Sequence, residues 1–180
     1  MAITVTFSLT NGGAAISSAI DHGSLGNGDV GSATELFVRH DGANPITNAG
    51  FYVREYSGTY SGTFSAASDL AELLAWGDGA TANAFGGLMI NFDAINAYAA
   101  SWPTYDNKSP GSSYVFRTSI GDSEANALVL PTSTGVPSAG TIPAGASPNV
   151  RFQAKIIVPA DEDTIGIRQV DQVLRFSFTS

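Results

Sequence analysis

The chain has 180 residues, and charged side chains make up only 13% of it, against roughly 25% in ordinary domains. Sixteen acidic residues against eight basic ones give a formal net charge of −8, which disfavours binding to a nucleic-acid backbone. Because there is no cysteine, thiol catalysis, thiolate zinc sites and iron–sulfur clusters are excluded. Twenty glycines fit a turn-rich β protein better than a helical enzyme.

The N-terminal segment lacks the basic head and apolar core of a secretion signal. No apolar run is long enough to span a membrane. We therefore expect a protein that is made in a cytoplasm, stays soluble and does not bind membranes. We find no internal repeat and no interdomain linker, so residues 1–180 are predicted to form a single domain.

Alternation of apolar and polar side chains predicts most of the secondary structure. In chain order it predicts strands at residues 3–10, 34–40, 46–56, 88–92, 114–120, 126–130, 150–158 and 170–179. Residues 93–100 fit a short helix or an ordered loop equally well. The short Asp41-Gly42 connection between the second and third strands allows a hairpin or a crossing between two sheets.

These strands contain no βαβ alternation, so the sequence predicts an all-β fold with two packed antiparallel sheets. An immunoglobulin-like topology is the first choice and a jelly roll the second. Alternation along residues 150–158 and at the C-terminus predicts five core side chains: Val150, Phe152, Ile156, Phe176 and Phe178. The intervening side chains are predicted to face water: Arg151, Gln153, Lys155, Arg175 and Ser177.

One helical insertion is predicted at about residues 68–76. Ser68 can cap its N-terminus, Asp69 and Glu72 lie where the helix dipole favours acids, and Gly77 can end it. Its apolar stripe consists of Leu70, Leu73 and Leu74. A helix of this length is too short to be stable alone, so it must lie against the sheet.

Candidate catalytic groups are few. His22 lies in a glycine-rich loop, and His40 is followed by Asp41 at a strand end. Adjacent residues in a strand point to opposite faces, so a solvated turn is the preferred interpretation of the His40-Asp41 pair. There is no Gly-x-Ser-x-Gly motif, and a serine triad is not expected.

Two groups of acidic residues raise the question of a metal. Asp21, Asn27 and Asp29 could offer oxygens to calcium, but their spacing is not that of an EF-hand and fits ordinary turns. Residues 161–163, Asp-Glu-Asp, are interpreted as the tip of a hairpin or crossover that discourages edge-to-edge pairing. We expect no metal and no cofactor.

Exposed aromatic side chains are the remaining candidates for a binding site. Such side chains stack on sugar rings or fill protein interfaces, and the candidates are Tyr56, Tyr60, Trp102 and Tyr105. Trp76 could stack on a sugar ring in the same way, but packing beneath the helix is the preferred interpretation of this residue. Carboxylate pairs for glycoside hydrolysis cannot be assigned from spacing along the chain.

Two parts of the chain resemble known families. Residues 142–145, Ile-Pro-Ala-Gly, followed by an alternating strand and Val-Pro-Ala at 158–160, are similar to the closing half of many immunoglobulin-like domains. Residues 35–42 and 46–53 resemble virion structural proteins of tailed bacteriophages. Such proteins are small, cysteine-free, unsecreted β-sandwiches that decorate capsids or build tail and baseplate parts, and the resemblance carries no catalytic residue.

The resemblance implies a non-enzymatic structural protein of a phage particle, assembled in the host cytoplasm and located in the virion. The first choice is a capsid decoration (cement) protein, and a tail or baseplate component is the alternative. A carbohydrate-binding module is the alternative from another class. The expected partners are other virion proteins or further copies of this chain, contacted through long loops at residues 57–67, 93–113 and 131–148.

Overall fold

The fold was analysed in a computed structural model that describes residues 3–10, 12–29, 31–32, 34–76, 87–92, 123–129, 140–145 and 150–178. These residues contain seven strands, one α-helix and one 3₁₀ turn. In chain order the elements are β1 (Val5–Ser8), β2 (Thr34–His40), β3 (Thr47–Glu55), α1 (Ala66–Trp76), β4 (Gly87–Phe92), the 3₁₀ turn (Glu124–Asn126), β5 (Leu128–Val129), β6 (Val150–Ile157) and β7 (Val170–Ser177). The strand predicted at 114–120 and the segment 93–100 lie outside the described residues.

The strands form two antiparallel sheets, with the orders β1-β2-β6-β4 and β5-β3-β7. Because β2 and β3 belong to different sheets, the Asp41-Gly42 connection is a crossing rather than a hairpin. The link from β6 to β7 also crosses between the sheets. Residues 161–163 therefore belong to a crossover and not to the tip of a hairpin. The predicted all-β architecture with two antiparallel sheets and one short helix is confirmed.

The core lies between the two sheets. Phe51 on β3 and Phe152 on β6 meet across it with ring centroids 4.6 Å apart, and both side chains are inaccessible to solvent. Around them lies a cluster of buried aliphatic side chains that includes Leu36, Val38, Ile46, Val53, Ile142 and Val150. The predicted burial of Val150 and Phe152 is confirmed, and Ile156 and Phe176 pack against the core half-buried.

Two predictions from alternation are wrong. Phe178 is 48% exposed, because it follows the last residue of β7 and contacts Phe176 at the sheet end. Lys155 is 2% exposed rather than solvated, and Ile157 on the same face of β6 is also buried. The side chains of Arg151 and Gln153 lie outside the described part, Arg175 is half-buried, and Ser177 is exposed.

Helix α1 begins two residues earlier than predicted, because Ser65 rather than Ser68 is its cap. The Ser68 amide donates to Ser65 Oγ at 3.1 Å, and the Ser65 amide donates to Ser68 Oγ at 3.0 Å, which is a reciprocal capping arrangement. The predicted apolar stripe is confirmed, since Leu73 is buried and Leu70 and Leu74 pack against the core. The helix packs against β3, β4 and β7, with Trp76 against the core as predicted.

Candidate functional site

The loop between β3 and α1 contains a short tandem repeat that our reading of the sequence missed. Residues 56–63 are Tyr-Ser-Gly-Thr twice. Each serine donates both its amide and its hydroxyl to one side chain near the start of β7. Ser57 donates to Asp171 Oδ2 at 3.3 and 2.5 Å, and Ser61 donates to Gln169 Oε1 at 2.7 and 3.1 Å. The repeat therefore fixes this loop along the chain entering β7.

Both tyrosines of the repeat fold back over the glycine two residues later. A Cβ atom at Gly58 would collide with the Tyr56 ring, and one at Gly62 would collide with the Tyr60 ring. The Tyr60 hydroxyl then donates to Asp69 Oδ2 at 2.5 Å. Loss of hydration and the Asp69 carboxylate raise the pKa of Tyr60.

Asp69 is fully buried and ties the helix to the segment before β7. Its carboxylate accepts a hydrogen bond from the Tyr60 hydroxyl and a second one from the Gln169 amide, at 2.9 Å. Asp69 does lie in the first turn of α1, as predicted. Glu72 lies in the second turn, and its role is set by Arg168 rather than by the helix dipole.

Arg168 is the centre of this network. Its Nε and Nη2 donate to the two carboxylate oxygens of Glu72 at 2.5 and 3.0 Å. Its Nε lies 3.9 Å from Asp69 Oδ1, and its guanidinium carbon lies 4.4 Å from the centre of the Phe64 ring. Burial of the guanidinium would by itself lower the pKa of Arg168. The hydrogen bonds to Glu72 and the charge of Glu72 outweigh this effect and raise the pKa of Arg168.

Glu162 provides a second attachment to the helix. Its carboxylate accepts the Trp76 indole N–H and the Thr164 amide, each at 2.7 Å. Partial burial would raise the pKa of Glu162, but these hydrogen bonds favour the charged form and lower it. We call residues 161–169, which are held to α1 at both ends, the crossover loop.

The crossover loop presents apolar side chains to solvent. Ile165 is 93% exposed, Ile167 is 59% exposed, and the neighbouring Phe64 is 45% exposed. Thr63 binds the loop beside them: its amide donates to the Ile167 carbonyl at 3.2 Å, and its Oγ1 accepts the Ile167 amide at 3.0 Å. We call Phe64, Ile165 and Ile167 the apolar patch.

Of the aromatic residues predicted from sequence, two are described. Tyr56 lines a shallow depression of about 480 Å³. The other residues lining it are Arg54, Glu55, Ser57 and Leu70. The Tyr60 hydroxyl is occupied by Asp69, while Trp102 and Tyr105 lie outside the described residues. The loop predicted at 93–113 also lies outside them, and of 131–148 only residues 140–145 are described.

His40 does not lie in a solvated turn, as the sequence had suggested. It is 1% exposed because β2 turns it into the core. Its Nδ1 accepts the Gly42 amide at 3.1 Å, so Nε2 carries the proton and donates to the Ile142 carbonyl, also at 3.1 Å. Asp41 instead accepts the Thr4 amide at 2.7 Å. His40 is thus a hydrogen-bonded core residue.

The carboxylates considered for calcium serve local turns. Asp21 accepts the Gly23 amide at 2.8 Å, and Asp29 accepts the Gly26 amide at 2.7 Å. Within the described ranges, no group of three or more acidic or histidine side chains is arranged to hold a metal ion.

Comparisons of the chain with protein-family models, curated proteins and solved structures find no match. In the part of the chain that the structure describes, no helix has the length and apolar character needed to cross a bilayer. The fold and the surface together define a two-sheet β protein. Its crossover loop is fixed to a helix and carries an exposed apolar patch.

Proposed function

We propose that this chain is a non-enzymatic structural subunit of a phage particle, a capsid decoration protein that binds the capsid lattice. The observation that carries the proposal is the apolar patch, with Ile165 93% exposed on a loop anchored to α1. Single exposed apolar residues are ordinary on protein surfaces, but grouped ones mark interaction sites. An exposed apolar patch on a loop that is fixed in place is a surface through which a structural subunit could bind a lattice.

The strand order supports the immunoglobulin-like topology within this proposal. One sheet of an immunoglobulin domain has the order A-B-E-D, and strands C and F are neighbours in the other sheet. If β5 is treated as an additional short strand, β1-β2-β6-β4 follows the A-B-E-D order. The antiparallel pair β3-β7 then corresponds to C and F. A jelly roll is the less favoured alternative.

The proposal is tested on particles made with and without this chain. We expect mass spectrometry to find the protein in purified particles, and imaging to show density on the capsid surface that is lost when the chain is deleted. Density on the tail or baseplate instead would select the alternative within the same class. A protein that is absent from particles would overturn the proposal.

A specific observation also favours a second candidate, carbohydrate binding. Tyr56 lines the depression together with Arg54 and Glu55, and an aromatic ring beside charged groups is a common arrangement for sugar recognition. The depression is shallow, however, and ligand sites normally enclose most of their ligand. Glycan-array binding by the purified chain would support this candidate over assembly through the apolar patch.

A further inference from the structure

The charge around the apolar patch indicates which kind of partner it fits. Only one cation, Arg168, lies among the acidic groups of the crossover loop and the adjoining face of α1 in the described part. The five acidic residues there are Asp69, Glu72, Asp161, Glu162 and Asp163. Asp69 is buried and Glu72 is paired with Arg168, so the exposed negative charge beside the apolar patch comes from Asp161 and Asp163, with Glu162 partly buried. A partner with basic residues around an apolar pocket would complement both features.

A second copy of this chain offers little positive charge for that role. The whole chain has eight basic residues against sixteen acidic ones. Among the described residues, Arg39 donates to the Gly13 carbonyl, Arg54 pairs with Asp171, and Arg175 donates to the Glu124 carbonyl. Lys155 is buried, and Arg168 is held by Glu72. Like-charge repulsion thus opposes self-association through the apolar patch.

The crossover loop is also organised before any partner arrives. Glu162 holds its beginning to Trp76, Arg168 holds its end to Glu72, and the Gln169 amide is fixed by Asp69. Ordering a flexible loop opposes association, and a loop that is already fixed avoids most of that loss. The exposure of Ile165 is therefore a property of a defined conformation, suited to insertion into a preformed pocket.

We infer that Ile165, flanked by Ile167 and Phe64, inserts into an apolar pocket rimmed by Lys and Arg side chains on a different protein. This inference rests on the proposed function, because it describes the lattice surface that the chain would bind. The inserted isoleucine supplies most of the affinity, as central apolar anchors do in protein interfaces. The acidic residues around it supply orientation and association rate.

The test uses particles assembled without this chain, to which the purified full-length protein is added. Binding is measured by co-sedimentation over a range of protein and salt concentrations. We expect Ile165→Ser to weaken binding by about tenfold or more, since a buried isoleucine contributes well over 1.4 kcal/mol. Leu9→Ser is the matched control, because Leu9 is 53% exposed outside the apolar patch, and its binding should be unchanged.

The basic rim is tested by salt and by charge removal. We expect binding to weaken as the salt concentration rises. Asp161→Asn should make binding less sensitive to salt, whereas Glu55→Gln should leave the salt sensitivity unchanged. Normal binding by Ile165→Ser, or binding that does not respond to salt, would overturn the inference and leave the proposed function standing. Absence of binding by the unaltered protein would overturn both. Self-association that Ile165→Ser abolishes would assign the apolar patch to a second copy and also overturn the inference.

Discussion

Arg168 on the crossover loop reaches Glu72 on α1 with two parallel hydrogen bonds, Nε to Oε2 at 2.5 Å and Nη2 to Oε1 at 3.0 Å. The two side chains are only 15% and 23% exposed. Bidentate pairs with this degree of burial are stronger than exposed ion pairs. This contact therefore holds the end of the crossover loop, next to the apolar patch, to α1.

Replacing Arg168 by methionine should release the end of the crossover loop. Methionine keeps an apolar stem against Phe64 but leaves the Glu72 carboxylate without its cation. We expect the free energy of unfolding to fall by about 1–3 kcal/mol and proteolysis within residues 161–169 to become faster. Denaturant unfolding and limited proteolysis measure the two effects.

The control is Arg54→Met, which removes the ion pair with Asp171 on the outer face of the β3-β7 pair. Arg54 is 52% exposed there, so we expect a change of about 0.5 kcal/mol or less. Equal effects of the two substitutions would show that the Arg168–Glu72 contact has no special role in holding the loop.

Phe152 and Phe178 provide a direct comparison of a core position with a surface position. Phe152 is inaccessible to solvent and packs against Phe51, so Phe152→Ala should lower the free energy of unfolding by roughly 3–5 kcal/mol. Phe178 is 48% exposed, so Phe178→Ala should lower it by less than about 1 kcal/mol. Chemical denaturation tests both, and a large effect at Phe178 would contradict its surface position.

Local patterns predicted the sheets but not the environment of each face. Alternation placed Phe152 in the core correctly, because a period of two reports which side chains share a face. It does not report what covers the other face, which is why alternation predicts a solvated Lys155. It also does not report where pairing stops, and Phe178 continues the pattern beyond the end of β7.

The candidate site was less predictable, because it depends on contacts between distant parts of the chain. Arg168 and Glu72 are 96 residues apart, and the exposure of Ile165 depends on the path of the crossover loop. The Tyr-Ser-Gly-Thr repeat is present in the sequence and could have predicted that this loop is attached to a neighbouring segment by two equivalent sets of hydrogen bonds. Its partners, Gln169 and Asp171, could not have been identified from the repeat itself.

Glycan binding is expected to be absent if the apolar patch is the functional surface. The Tyr56 ring lies over Gly58, and the Tyr60 hydroxyl is occupied by Asp69, so neither tyrosine is displayed as a free platform. We expect a glycan array to give no signal with the unaltered protein. A signal that Tyr56→Ala removes without lowering the melting temperature would favour the carbohydrate-binding alternative, and the same test applies to Trp102 and Tyr105.

Lys155 should make stability depend on pH in the alkaline range. Burial lowers the pKa of Lys155 from its ordinary 10.5 to about 8. Between these values the unfolded chain binds more protons than the folded one, so the free energy of unfolding should rise with pH, by on the order of 3 kcal/mol in total. Below pH 8 the lysine is charged in both states and adds no further dependence.

The measurement is denaturant unfolding of the unaltered protein and of Lys155→Met from pH 7 to pH 10. The free energy of unfolding of the unaltered protein relative to that of Lys155→Met should rise with pH, because only the unaltered protein gains stability from loss of the proton. Tyrosine ionisation affects both proteins equally and cancels in the comparison. Parallel pH profiles would contradict the predicted role of Lys155.

Acid should detach the beginning of the crossover loop from α1. The pKa of Glu162 lies below its ordinary 4.5: burial opposes this lowering, and the hydrogen bonds from Thr164 and Trp76 outweigh it. The stability that the charged carboxylate contributes is therefore present above pH 4.5 and is lost as pH falls through the lowered value. In a Trp102→Phe background, we expect Trp76 fluorescence to shift to longer wavelength over that range, because detachment of the loop exposes the partly buried indole to water. Glu162→Gln cannot titrate, so its fluorescence should stay constant over the same range, and an unchanged acid transition in that variant would assign the effect to another group.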